Sequence, residues 1–175
     1  MTAAIHTPRL HLRPCREEDL SALHALWTEP EVRRSLWDGE IISRERAMEI
    51  LAKSEESFRS RGFGIWAVFV VGEPGLAGFA GLRAVGGTDE VEILYGLHPR
   101  VWGLGLATEA ADALIAHAFT RALTQRIWAR ADAPNEASVA VMKRLGMKPS
   151  PSPESESGLV SYAITASEYA GSTVP

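Results

Sequence analysis

Apolar and polar positions along the chain divide it into short periodic stretches. Leu10 and Leu12 alternate with polar neighbours over residues 9–13, the period of a short strand. Leu20, Leu23, His24 and Trp27 recur in steps of three and four, which predicts a helix over 17–27. Glu29-Pro30 breaks it, and Pro30 is suited to open a short second helix. A further helix is predicted over 43–59, with Ala47, Ile50, Leu51, Ser54 and Phe58 on one side and Gly62 and Gly64 at its end. Residues 65–71 are almost all apolar and read as a buried strand. A turn at Glu73-Pro74-Gly75 leads to a second strand over 76–82, thinned by Gly78 and Gly81. After a turn at Gly86-Gly87-Thr88-Asp89, a third strand begins.

That third strand opens the most informative stretch, VEILYGLHPRVWGLGLATEA over 91–110. Val91, Ile93, Tyr95 and Leu97 alternate with Glu92, Leu94 and Gly96. Pro99 cannot donate to a ladder and ends the strand. Then Arg100, Gly103 and Gly105 lead into Ala107, Ala110, Ala111, Leu114, Ile115, Ala118 and Phe119, one apolar stripe of an α-helix. A strand over 126–131, a helix from Pro134-Asn135 to about Leu145 with Ala137, Ala140, Val141 and Leu145 as its core face and Gly146 closing it, and a strand over 159–164 complete the pattern. Three strands in series with short turns predict an antiparallel meander. Residues 149–158, rich in proline, serine and acid, read as an exposed, mobile loop.

The glycine-punctuated entry into a helix suits an anion. Glycine lets the backbone approach a ligand, and the first helical N–H groups lack partners within the helix. Those donors and the positive end of the helix dipole favour a phosphate. Arg100 is the only basic side chain in the stretch, so most of the binding falls to backbone amides. The spacing is neither the dinucleotide fingerprint nor a P-loop.

Arg100-x-x-Gly103-x-Gly105 matches the [Q/R]-x-x-G-x-[G/A] signature, and the chain resembles the GNAT superfamily of acetyl-coenzyme A-dependent N-acetyltransferases. The string WGLGLATEA is similar to the RimJ/RimL-type branch, which includes ribosomal-protein N-terminal acetyltransferases. The likeness extends from Thr7-Pro8-Arg9-Leu10 to Tyr162-Ala163-Ile164-Thr165. It implies an α/β (α+β) fold: a mixed, mostly antiparallel sheet of six to seven strands, about four helices and a splayed central strand. It implies acetyl-CoA as co-substrate, bound by Leu97, His98, Arg100, Trp102, Gly103, Leu104, Gly105, Leu106, Ala107, Thr108, Asn135 and Ser138.

Roles within that set follow from the same resemblance. The family's matching asparagine, Asn135 here, binds the pantetheine arm; Ser138 is the candidate acid for the departing thiolate, directly or through a water. Without the resemblance, Asn135 and Ser138 read as ordinary capping residues. The Leu97 backbone N–H is expected to polarise the thioester carbonyl from the splayed strand. Glu92, or a water, is the candidate base; its plain alternative is a partly exposed strand glutamate. Tyr95 reads equally as packing or catalysis. Trp27, Trp37 and Phe63 read as core or lid, and Lys143 and Arg144 as a solvated face or phosphate contacts.

Composition narrows the rest. The 175 residues, 46% hydrophobic, suit one domain over 1–175. A net charge of −4 without long runs of one sign argues against a nucleic-acid surface and fits, weakly, a cationic acceptor. No stretch has the length of a membrane span or the apolar core of a signal peptide. Cys15 is the single cysteine, which leaves no internal disulfide and suits a cytoplasmic protein. With no His or Asp beside it in sequence, it reads as a small apolar filler rather than a ping-pong nucleophile, and the five histidines lack metal-ligand spacing. The expected partners are acetyl-CoA and an amine, a protein N-terminus or a small molecule, taken by a monomer or homodimer. A non-catalytic acyl-CoA-binding module of the same fold is the alternative.

Overall fold

The computed structural model describes residues 4–154 and 156–172. One eight-stranded sheet carries the architecture, in the spatial order β1-β2-β3-β4-β5-β6-β8-β7. The strands are β1 (Ile5–His6), β2 (Leu10–Pro14), β3 (Ile65–Val70), β4 (Gly78–Ala84), β5 (Val91–Leu97), β6 (Arg126–Asp132), β7 (Lys148–Pro149) and β8 (Leu159–Thr165). The helices are α1 (Leu20–Thr28), α2 (Pro30–Arg33), α3 (Arg44–Arg61), α4 (Leu106–Thr120), α5 (Glu136–Arg144) and α6 (Ala166–Ser172).

Every neighbouring pair is antiparallel except β5 and β6. The expected meander is β3-β4-β5. The sheet has eight strands where six or seven were expected; β1 and β7, which the sequence pattern does not show, are two residues long and exist only as partners of β2 and β8. Beyond the expected helices are the short α6 and a 3-10 turn at Glu17–Asp19, where the first predicted helix was expected to begin.

Helix α4 packs across β2, β4 and β5. Its stripe is buried as predicted: Ala110, Ala111, Leu114, Ile115 and Ala118 are fully enclosed against Leu10, Trp66, Val68 and Ile93. Alternation along each strand puts Ile65, Phe79 and Leu94 on the opposite face, with α1 and α3. There Trp27, Leu23, Ala47 and Leu51 form a second core. Helix α5 leans on α4 and β6 through Val141, Met142 and Leu145. Ala137, expected on that core face, is exposed; α5 is rotated so that its first turn faces outward from the core.

β5 and β6 pair only at Val91–Ile127 and Glu92–Trp128. Beyond those two rungs the strands part, so β5 is the splayed strand.

Candidate active site

The gap between β5 and β6 opens beside the glycine turn and the start of α5. Its β5 wall is set by register. Along β4 and β5, Ala77 faces His98 and accepts from its N–H at 2.8 Å, while Gly78 faces Leu97. Hydrogen-bonded and non-hydrogen-bonded pairs alternate in an antiparallel ladder. Leu97 therefore turns its N–H and carbonyl away from β4, toward the side where β6 has departed. The Trp102 indole Nε1 donates to the Leu97 carbonyl at 2.7 Å, which ties the strand end to the turn that follows. A Cβ at Gly78 would meet the Leu97 side chain and the Gly96 carbonyl. The bare Gly78 is what lets Leu97 lie so close.

On the far side of the gap, Asn135 caps α5. Its Oδ1 accepts from the Ser138 N–H at 3.1 Å. The cap leaves Nδ2 to donate elsewhere. Tyr95 reaches across from β5, and its hydroxyl donates to the Ser138 carbonyl at 3.2 Å. Burial pushes the Tyr95 phenol up to about 12 despite that hydrogen bond, so it remains a protonated donor at neutral pH. Leu97, Tyr95, Asn135 and Ser138 thus meet around one cleft.

The glycine turn has the form an anion requires. Gly103 and Gly105 both adopt left-handed conformations, each with φ 75°. Gly105 is the N-cap of α4 and offers no side chain to the first N–H groups of Leu106, Ala107 and Thr108. The Leu106 side chain is buried in the core, so only its amide is available at the turn. The Thr108 hydroxyl is enclosed without a hydrogen-bond partner among the described residues. Trp102 and Leu104 are half exposed on the rim.

Two expected contributors are occupied elsewhere. The Arg100 guanidinium pairs with Glu73 at 2.8 Å and donates to the Leu76 carbonyl at 3.3 Å, toward the β3–β4 connection. His98 Nδ1 accepts from the Arg100 N–H at 3.2 Å and caps a 3-10 turn at Pro99–Val101.

Glu92 is only 3% exposed, which answers the choice between a buried and a partly exposed glutamate. Both of its oxygens are engaged. Arg130 donates to them at 2.8 and 3.1 Å, and Arg83 reaches Oε2 at 2.5 Å. By strand alternation Glu92 lies on the opposite face of the sheet from Tyr95. Its oxygens are held by guanidiniums and its side chain lies on the face away from Tyr95, so neither oxygen is directed at an amine beside the Leu97 amide, which argues against a base role. Arg83 and Arg130 also hold the Glu154 carboxylate, at 3.1 and 3.0 Å, and Arg130 donates to the Glu154 backbone carbonyl at 2.6 Å. The proline-rich loop is therefore tethered to the sheet, with Ser152 buried, where the composition suggested mobility.

The remaining candidates fall outside the cleft. Cys15 is a free thiol whose pKa is driven up by burial, against nucleophilic use. It lines a cavity of about 530 Å³ with Phe58, Arg59 and Arg121, at the end of α4 away from the glycine turn. Trp27 and Phe63 are core residues. Trp37 stacks edge-on against Trp27 at 5.9 Å. Lys143 and Arg144 are exposed. Among the described residues, no three His, Cys, Asp or Glu side chains come together as a metal site. No helix among them is long and apolar enough to cross a membrane.

Residues 9–148 match the acetyltransferase (GNAT) domain family, and the chain belongs to it. It is an acetyl-CoA-dependent acetyltransferase. A relative in Aspergillus fumigatus, FsC-acetyl coenzyme A-N(2)-transacetylase, is 28% identical over 94% of this chain and 77% of its own length. The N-acetyltransferase p20 of Bacillus licheniformis is 25% identical over 82% of each chain. Among solved structures, RimL, a ribosomal L7/L12 α-N-protein acetyltransferase in complex with coenzyme A, superposes with a TM-score of 0.78. It has 23% identity over 93% of this chain and 98% of its own. The microcin C7 self-immunity acetyltransferase MccE, in complex with acetyl-CoA and AMP, superposes with a TM-score of 0.74. It has 16% identity over 91% of this chain and 93% of its own.

Proposed function

We propose that this enzyme moves the acetyl group of acetyl-CoA to a primary amine by direct attack within a ternary complex. The observation that carries the proposal is the Leu97 N–H, turned into the gap between β5 and β6 opposite the Asn135–Ser138 turn of α5. Acetyl-CoA lies with its pyrophosphate on the Gly103–Gly105 turn and its pantetheine arm along the gap, where Asn135 Nδ2 donates to it. The Leu97 amide polarises the thioester carbonyl and accepts the charge that develops on its oxygen. The amine nitrogen attacks the carbonyl carbon, and the C–S bond breaks. The coenzyme thiolate leaves and takes a proton from the Ser138 hydroxyl or from a water that Ser138 orders, and the proton shed by the attacking nitrogen restores that donor through water. Holding both reactants in line supplies much of the rate.

The amine enters neutral after giving its proton to water. Water is preferred to Glu92, whose oxygens are committed to Arg83 and Arg130. Cys15 takes no part, since no acetyl-enzyme is needed. The acceptor is a protein N-terminus or a small amine, in keeping with the L7/L12 substrate named for RimL and the N-acetylation named for the fungal relative. A single, half-buried cysteine suits a reducing, cytoplasmic setting.

The test is thiol release from acetyl-CoA against a panel of amines and N-terminal peptides. Intersecting double-reciprocal lines with at least one acceptor are expected. Tight coenzyme A binding with no turnover on any amine would instead favour a non-catalytic binding module.

A further inference from the structure

The cation beside the glycine turn in sequence, Arg100, is turned toward Glu73. A different arginine reaches the turn from the other end of the chain. Arg9, immediately before β2, donates from Nη1 to the Leu104 carbonyl at 2.8 Å. Its Nη2 lies 3.7 Å from the position a Cβ would take on Gly105, the N-cap of α4, and has no hydrogen-bond partner among the described residues. The side chain is about half exposed, at 51%.

What aims this guanidinium is Glu109, one turn into α4. Arg9 Nε donates to Glu109 Oε2 at 2.6 Å, while the Arg9 N–H and the Thr7 hydroxyl donate to Oε1 at 3.0 and 2.6 Å. Burial works against the Glu109 carboxylate, but these hydrogen bonds outweigh it and hold its pKa below the usual range. Glu109 is thus an anion whose oxygens are committed to the N-terminal segment. It fixes the planar fork so that one edge grips the Leu104 carbonyl and the remaining amino group projects beside the uncapped helix start.

We propose that Arg9 is the cationic ligand of the coenzyme pyrophosphate, presented by Glu109. The inference rests on the acetyl-CoA reading above. By holding the Leu104 carbonyl out of the way, Arg9 leaves the turn's amides to face the phosphates. Its Nη2 then adds a charge-assisted hydrogen bond, which the neutral turn lacks. The enclosed Thr108 hydroxyl, without a partner among the described residues, is a second unspent donor at the same helix start.

Isothermal titration of the purified protein with coenzyme A and with dephospho-coenzyme A tests this. Both keep the pyrophosphate; only the first has the 3′-phosphate. Arg9→Ala is expected to weaken both ligands by about tenfold or more. It should also flatten the dependence of affinity on ionic strength. Arg9→Gln, which keeps an amide to reach the Leu104 carbonyl but no charge, gives the same reading should the alanine variant fold poorly. Unchanged affinity overturns the proposal. So does a loss confined to coenzyme A, which would put Arg9 on the 3′-phosphate, and so does a loss with the salt dependence intact, which would make Arg9 a structural brace. Failure of the unaltered protein to bind coenzyme A would count against the acetyl-CoA reading itself.

Discussion

Arg130 grips Glu92 along one edge of its carboxylate, Nε to Oε1 at 2.8 Å and Nη2 to Oε2 at 3.1 Å. The pair is buried, and Arg83 and Glu154 extend it into a four-residue network spanning β4, β5, β6 and the loop before β8. Breaking such a pair from one side leaves an uncompensated charge and costs about 3 kcal/mol. Glu92→Gln should therefore lower the melting temperature by several degrees and loosen the Glu154 loop to proteolysis. The pH–rate profile of the variant should keep the acidic limb of the parent enzyme. A limb that vanishes or moves in Glu92→Gln would restore Glu92 as the base.

Gly78 and Leu97 are matched across β4 and β5 with no room for another atom: a Cβ on Gly78 would meet Leu97 Cα at 2.9 Å. Backbone must move to relieve that contact. Gly78→Ala is expected to destabilise the protein by about 2 kcal/mol and to lower kcat by displacing the Leu97 amide, with coenzyme A affinity less affected. Melting curves and initial rates read the two effects separately. Turnover equal to that of the parent enzyme would detach Leu97 from catalysis.

Much of this site was open to reading from local pattern. The alternation over 91–97 and the stripe from Ala107 to Phe119 are short-range periodicities, and each became the predicted element. Asn135 and Ser138 lie three residues apart, so one helix start brings them together. Other features depend on partners far away in sequence. Arg9 and Glu109 are 100 residues apart, and no local signal joins them. Arg100 carries the family signature, yet its side chain answers to Glu73, a loop residue 27 positions earlier. β1 and β7 are too short to show a period, and pairing alone makes them strands. Ala137 and Ala140 fit the apolar face of α5 by character, but alanine is a weak marker of burial. The exposed Ala137 shows that Val141, Met142 and Leu145 set the rotation of that helix.

Tyr95 supplies a pH test. Its folded pKa, about 12, lies above the ordinary phenol value of 10 because burial penalises the phenolate. The stabilisation associated with the neutral phenol is complete below about pH 10. It is lost as pH rises from there through about 12. Tyr95→Phe should remove that alkaline loss from the stability profile. It also breaks the hydrogen bond to the Ser138 carbonyl, at about 1 kcal/mol. An identical alkaline profile in the variant would place the Tyr95 titration elsewhere.

The turn itself is tested by glycine replacement. A Cβ on Gly103 meets nothing within 4 Å, and one on Gly105 meets only Arg9 Nη2, so neither is excluded by crowding in the free protein. Both have positive φ, at a cost of about 1–2 kcal/mol for an L-residue. Gly103→Val and Gly105→Val should fold with lowered melting temperatures. They should lose the upward shift that coenzyme A gives the parent, which follows RT ln(1 + [L]/Kd). A full shift in either variant would mean that the turn is only a helix start.

Ser138 and Cys15 separate two chemical routes. Direct transfer needs no enzyme nucleophile, and the half-buried Cys15 thiol, its pKa raised, lies at the end of α4 away from the glycine turn. Cys15→Ala should keep most of the activity, and mass spectrometry of protein incubated with acetyl-CoA should find no acetyl adduct. The Ser138 hydroxyl acts, in this scheme, only as the thiolate departs. Its removal should then lower kcat and kcat/KM alike while coenzyme A affinity stays within a factor of about two. The Asn135 cap accepts from the Ser138 backbone N–H, and Tyr95 donates to its carbonyl; both contacts survive in Ser138→Ala. A loss of turnover is therefore attributable to the hydroxyl and not to an unwound helix start. Parallel double-reciprocal lines, or an acetylated Cys15, would overturn direct transfer. A Ser138→Ala enzyme as fast as the parent would assign the proton to a water that Ser138 does not order.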